Sequence, residues 1–164
     1  METSQEQPPY EAYAAIVGTF LAGLGVVSIL ARRSPPATAL DLVALSAATF
    51  KASRTLSRER VASFVRQPFV EGDADRGEDE QPAGEGFQRV IGELVLCPRC
   101  VGTWVAAGLA SSQMIAPRFG RALTWTLGAA AANDFLQAAF VALCAKANEL
   151  QDLTAPGAHE PLRH

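Results

Sequence analysis

Residues 12–31 read AYAAIVGTFLAGLGVVSILA, twenty positions without a charge. Coiled into an α-helix, the run is ~30 Å long, enough to cross the hydrocarbon core of a bilayer. Ala14, Gly18 and Ala22 recur every four residues, which lets another helix approach closely. Residues 1–11 are polar and acidic, with Pro8-Pro9, and read as a disordered N-terminus. They lack the basic stretch that opens a secretory leader, so the run reads as a retained span. Arg32-Arg33 and then Pro35-Pro36 follow it, and there the helix cannot continue.

Outward from this span, charge is distributed in blocks. Residues 101–116 carry none and 122–145 carry only Asp134, whereas 71–80 hold six acids and one base. A water-soluble globule spreads charge over its whole surface. Long uncharged runs joined by solvated segments fit a membrane protein instead. Two further spans are expected, 98–116 and 122–145, with Trp104 and Trp125 near the interfaces. Residues 117–121 read as a tight turn between them. From 147 to 164 the chain is polar and reads as a disordered tail, which holds both histidines, His159 and His164. The net charge of −3 and the lack of a basic stripe interleaved with aromatics argue against nucleic-acid binding.

Between the first two spans lies a basic segment. Thr38 and Asp41 are spaced as a capping box, which predicts a helix from residue 39. Leu42, Leu45, Thr49, Ala52 and Leu56 follow helical spacing, and Lys51, Arg54 and Arg58 fall on nearly the opposite side. Only the first dozen residues are apolar, too few to span. The expectation is an amphipathic helix over about 39–66 lying along the cytoplasmic interface. Lys51, Arg54, Arg58, Arg60 and Arg66 would face anionic headgroups or an acidic partner. The alternative is a helix packed on a soluble core. Residues 71–86 read as an acidic linker with too few apolar residues to offset its ordering entropy. They lack the alternating ligands of a calcium-binding loop.

Positive residues favour the cytoplasm. With three spans and the amino terminus outside, 12 of the 14 Lys and Arg residues fall inside; if 37–50 also cross, 10 fall inside and 4 outside. Both arrangements place residues 51–99 in the cytoplasm.

Two positions carry chemistry. In Cys97-Pro98-Arg99-Cys100 the proline suits the first position of a helix, with Cys97 at its N-cap near the positive end of the dipole. Such a cysteine beside Arg99 should have a lowered thiol pKa. The pair admits three readings: a structural corner where chain meets bilayer, half of a metal site shared by two copies, or a redox pair. In the last, Cys97 is nucleophile and Cys100 resolver. The total of three cysteines, with Cys144 in an apolar run, rules out a full set of internal disulfides. The second position is Asp134, flanked by Asn133 and followed by Gln137. A charge at mid-membrane costs at least ~2.5 kcal/mol and needs a partner inside the bundle. It reads either as a proton or substrate relay or as an interhelical lock to a serine, a threonine or a backbone group, the lock preferred. No nucleophile elbow, phosphate-binding glycine loop or His-Glu metal motif is present.

The block Gly92-Glu93-Leu94-Val95-Leu96-Cys97-Pro98-Arg99-Cys100-Val101-Gly102-Thr103-Trp104 resembles a family of small bacterial membrane proteins known as domain of unknown function 1360, some members of which are named for sporulation. The resemblance takes in Ala47 to Arg54, Arg66-Gln67-Pro68-Phe69 and Ala132-Asn133-Asp134-Phe135-Leu136-Gln137, covering about residues 40–145. Arg99 stands where the family often has an aromatic residue, and Glu59 where an Asp is common. The resemblance implies a membrane address and a helical fold, and supplies no activity.

The expectation is an all-α integral membrane helical bundle, with a single membrane domain over 12–146, about three transmembrane helices and a cytoplasmic amphipathic helix. It would be multi-pass in the plasma membrane, with the Cys-Pro-Arg-Cys loop facing the cytoplasm. Its partners would be the bilayer, anionic headgroups, and a second copy or another membrane protein. The function expected is non-enzymatic interaction or scaffolding, without a cofactor. Thiol–disulfide exchange at Cys97/Cys100 and a Cys-ligated metal-bridged dimer are the alternatives.

Overall fold

The computed structural model describes residues 9–31, 37–72 and 79–154. Among these the chain is all-α: α1 Tyr10–Leu30, α2 Ala39–Arg58, α3 Ser63–Arg66, α4 Gly86–Leu96, α5 Pro98–Ile115 and α6 Pro117–Thr154. Single 3-10 turns flank α3. Two short strands, β1 Val70–Glu71 and β2 Gln81–Pro82, pair antiparallel with Val70 opposite Pro82.

The capping box at the start of α2 is complete. The Asp41 backbone N–H donates to Thr38 Oγ1 at 3.2 Å, and the Thr38 backbone N–H donates to Asp41 Oδ2 at 3.0 Å. α2 then runs lengthwise beside α6 in the same direction. Gly128 of α6 backs onto Ala44, so close that a Cβ there would lie 3.3 Å from the Ala44 carbonyl oxygen. Two turns on, the rings of Phe50 and Phe135 stack at 5.2 Å. α5 and α6 form an antiparallel hairpin in which Gln113 Nε2 donates to Thr124 Oγ1 at 2.8 Å. α1 runs with α5: the Tyr13 hydroxyl donates to Glu93 at 2.6 Å, and Phe20 meets Trp104 edge-on at 4.9 Å. The four long helices therefore alternate in direction along the chain. One end of the bundle carries the α5–α6 hairpin and the start of α2; the other, the 59–97 end, carries residues 59–72 and 79–97.

This differs from the expected interfacial helix over 39–66. α2 is flanked along its length by α5 and α6, because its inner face consists of Ala44, Ala48, Ser53 and Ser57, small enough for two helices to close on it. The helix also stops at Arg58, and Glu59 is extended. Other boundaries shift as well. Residues 117–121 are the first turn of α6, where Pro117 supplies the φ a helix start needs. The segment from 147 is helical to Thr154, held by helix-forming residues and by a Lys146–Glu149 pair at 2.9 Å. At the other terminus Tyr10 and Glu11 are already helical. Residues 1–8 and both histidines lie outside the described residues. The ends of the acidic segment are pinned by the strand pair, with Gly72 at φ +100 turning the chain; residues 73–78 lie outside the described residues.

The core contains small residues: Ala44, Ala48, Thr124 and Ala131 are buried. Val90, Val101 and Leu109 join them, but many large apolar side chains point outward, among them Leu21, Leu30, Leu42, Val43, Phe135, Leu136 and Phe140, each more than half exposed. By length and composition, two helices are able to cross a membrane, Tyr10–Leu30 and the α6 stretch Pro117–Gln151. The expected span 98–116 corresponds to α5, which reaches that measure only together with α4. The two meet at 87°.

Candidate functional site

The polar end of the bundle is built around two cations that turn inward. Arg66 of α3 is fully buried, 1 % exposed. Its Nε and Nη2 each donate to a Glu80 carboxylate oxygen at 3.0 Å. Its Nη1 donates to the carbonyls of Leu56 at 2.9 Å and Glu59 at 3.0 Å. Carbonyls in the last turn of a helix have no partner within it. Arg66 supplies one for α2 and ties the β2 side of the acidic segment to it.

Lys51 is the second. Its Nζ lies 2.8 Å from Glu59 Oε1 and 3.0 Å from Asp134 Oδ2. The Glu59 carboxyl is held below its ordinary pKa, first by the hydrogen bond from Lys51. The lock expected at Asp134 thus has a lysine, not a hydroxyl or backbone group, as its partner. An ion pair neutralises the Asp134 charge, which a neutral donor cannot. Asn133 and Gln137 are exposed on α6, and among the described residues neither joins the pair. The five expected headgroup cations therefore divide. Lys51 and Arg66 serve the interior, and Arg54, Arg58 and Arg60 are exposed.

Sequence reasoning missed two residues here. Glu93 receives the Tyr13 hydroxyl and, at 3.4 Å, Arg89 Nε, so it fastens α1 to α4. Gly92 backs onto the Phe69 carbonyl and Pro82, where a Cβ would have no room. Neither role has a local signal: Tyr13 lies 80 residues from Glu93 in sequence, and the groups that close on Gly92 belong to Phe69 and Pro82.

Cys97 caps α5 as the spacing predicts: its Sγ accepts the Cys100 backbone N–H at 3.3 Å. Its thiol pKa is lowered, first by a hydrogen bond from the Cys100 thiol, then by the Cys100 backbone N–H and by Arg99. All three cysteines are free, Cys97 half-buried and Cys100 and Cys144 exposed. Among the described residues, no group of three or more His, Cys, Asp or Glu side chains converges as metal ligands would.

The model of a family described as a protein of unknown function (DUF1360) matches residues 44–140. The chain belongs to the DUF1360 family. No curated protein and no solved structure matches it. In this DUF1360 chain the matched region opens at Ala44, the first buried residue of α2, and closes on α6 at Phe140. It contains Lys51 and its two carboxylates, Arg66 and Glu80, and the cysteine pair, while α1 precedes it.

Proposed function

We propose that this DUF1360 chain is an integral membrane protein whose four long helices pack as an up-down bundle, and that its basic end serves interaction with the membrane surface. One observation carries the reading. Apart from Val90, Val101, Leu109 and Arg66, the buried side chains among the described residues are alanine, serine and threonine, while many leucine, valine and phenylalanine side chains lie on the outside. Water would penalise that surface at about 25 cal/mol per Å² of apolar area, and soluble monomers rarely carry apolar patches beyond a few hundred Å². Lipid removes the penalty. With all four helices crossing, Arg118 and Arg121 fall at the hairpin end, and among the described residues Lys51, Arg54, Arg58, Arg60, Arg66, Arg89, Arg99 and Lys146 fall at or towards the other. The 59–97 end is accordingly the cytoplasmic one.

At that end the partner is the anionic surface of the same leaflet. Arg54, Arg58 and Arg60 are exposed beside a turn that is inside out: Ala62 and Arg66 face the protein, whereas Val61 and Phe64 are over 70 % exposed. Aromatic and aliphatic side chains next to arginines suit the boundary between acyl chains and phosphates.

Two measurements test this. The protein should remain in the membrane pellet after alkaline carbonate extraction. On a background lacking the native cysteines, an impermeant maleimide added outside should label Ala37→Cys and not Tyr10→Cys. Release into the supernatant would overturn the membrane reading, and the reverse labelling would restore three spans. In micelles, adding phosphatidylglycerol should raise the unfolding temperature more than phosphatidylcholine does. The triple variant Arg54→Gln, Arg58→Gln, Arg60→Gln should lose most of that difference, since each surface cation contributes about 1 kcal/mol. An undiminished difference would remove the headgroup role.

A further inference from the structure

We propose that Cys97 and Cys100 are a dithiol–disulfide couple that exchanges electrons with a disulfide substrate, Cys97 attacking and Cys100 resolving. The argument starts from placement. The 87° break between α4 and α5 falls at Cys97, so the preceding helix does not stack over the first turn of α5. Arg99 and Cys100 in that turn are exposed. The Cys100 N–H lies 3.0 Å from the Cys97 carbonyl oxygen and 3.3 Å from its sulfur, so the two cysteines close on each other across one tight turn, the arrangement a short-range disulfide needs. The Cys97 Sγ already accepts the Cys100 N–H, a contact that holds a thiolate better than a thiol. Arg99, an exposed cation between the two sulfurs in sequence, favours a disulfide that carries carboxylates.

The competing uses of the pair fit less well. A buried structural cysteine is inert, but neither of these is buried. A cap alone calls for serine or aspartate, which bind the same N–H more strongly. A metal needs about four ligands, so that use requires a second copy, whereas exchange needs only the two thiols of one chain.

The exchange balances. The Cys97 thiolate attacks one sulfur of RSSR, forming Cys97–S–SR and expelling RS⁻, which takes up a proton. Cys100 gives its proton to solvent and attacks the Cys97 sulfur, closing the Cys97–Cys100 disulfide and expelling the second RS⁻. Two electrons pass from the protein to RSSR, and two RSH leave.

The test uses the full chain in detergent micelles with Cys144→Ser throughout, so it does not depend on membrane topology. Incubated with oxidised glutathione at pH 7, the Cys97/Cys100 protein should lose two hydrogens by mass and retain no adduct. Cys100→Ser should retain one glutathione. Cys97→Ser should react about tenfold more slowly while unfolding at an unchanged temperature, because serine preserves the cap. Repeating the incubation with disulfide-bonded insulin separates a small-molecule from a protein substrate: reduction of its chains by the dithiol form identifies the latter. Equal rates for the two single variants, or stable adducts on both cysteines without ring closure, would overturn the proposal. So would protein purified with one chelatable zinc per two chains and both thiols blocked.

Discussion

Replacing Arg66 by methionine is expected to destabilise the fold by about 3–5 kcal/mol, the cost of breaking a buried ion pair from one side. The side chain is 2 % exposed and its partner Glu80 15 %, so water cannot take over the work of the guanidinium. Its loss leaves a carboxylate unpaired, takes the Arg66 donor from the Leu56 carbonyl and leaves the Glu59 carbonyl with the Ala62 N–H alone. Arg66→Lys keeps the charge but offers one nitrogen where three are used, and should lose roughly half as much. The combination Arg66→Met with Glu80→Leu should recover part of the loss, because no charge is then stranded. Denaturant or thermal unfolding in micelles, followed by near-ultraviolet dichroism, measures all three. A methionine variant as stable as the parent would show that the cluster does not hold α2 to the acidic segment.

Gly120→Ala is expected to be the costliest change of a single methyl group, at about 3 kcal/mol, the upper end for overpacking. Gly120 is buried in the first turn of α6, and a Cβ there would collide with the backbone of Ser112 and Gln113. Backbone cannot rotate aside as a side chain can, so the hairpin must open. Opening it also stretches the Gln113–Thr124 hydrogen bond. The control is Gly108→Ala on α5, where nothing lies within 4 Å of the added carbon and the helix gains about 1 kcal/mol of propensity. Opposite shifts in unfolding temperature for the two glycines are the expected result. Equal shifts would mean that the α5–α6 contact is looser than the geometry indicates.

The two glycines also show what could be read without coordinates. Gly108 sits in an uncharged run and Gly120 between Arg118 and Arg121 in the segment read as a turn, and neither setting indicates which glycine touches backbone and which faces open space. The cysteine corner was more legible. Proline after cysteine at the head of an apolar run announced a capped helix start, and the cap is present at Cys97. The charge at Asp134 announced a partner, yet its identity was hidden because Lys51 lies on a helix whose own pattern suggested an interfacial position. The cationic face failed in part for the same reason: Arg66 looks like its neighbours until the acidic segment folds back over it.

Local chemistry in the chain was enough to set the all-α class, the capping box at Thr38, the start of α5 at Pro98 and the apolar character of α1. Each rests on hydrogen bonds or steric limits spanning four residues or fewer, or on the hydropathy of one continuous run. Folding in three dimensions added the end of α2, its seat between α5 and α6, and the Lys51–Asp134 and Tyr13–Glu93 links. Those features depend on groups brought together from distant parts of the chain, where the energy of a contact is set by what the packed helices exclude rather than by the residues next door.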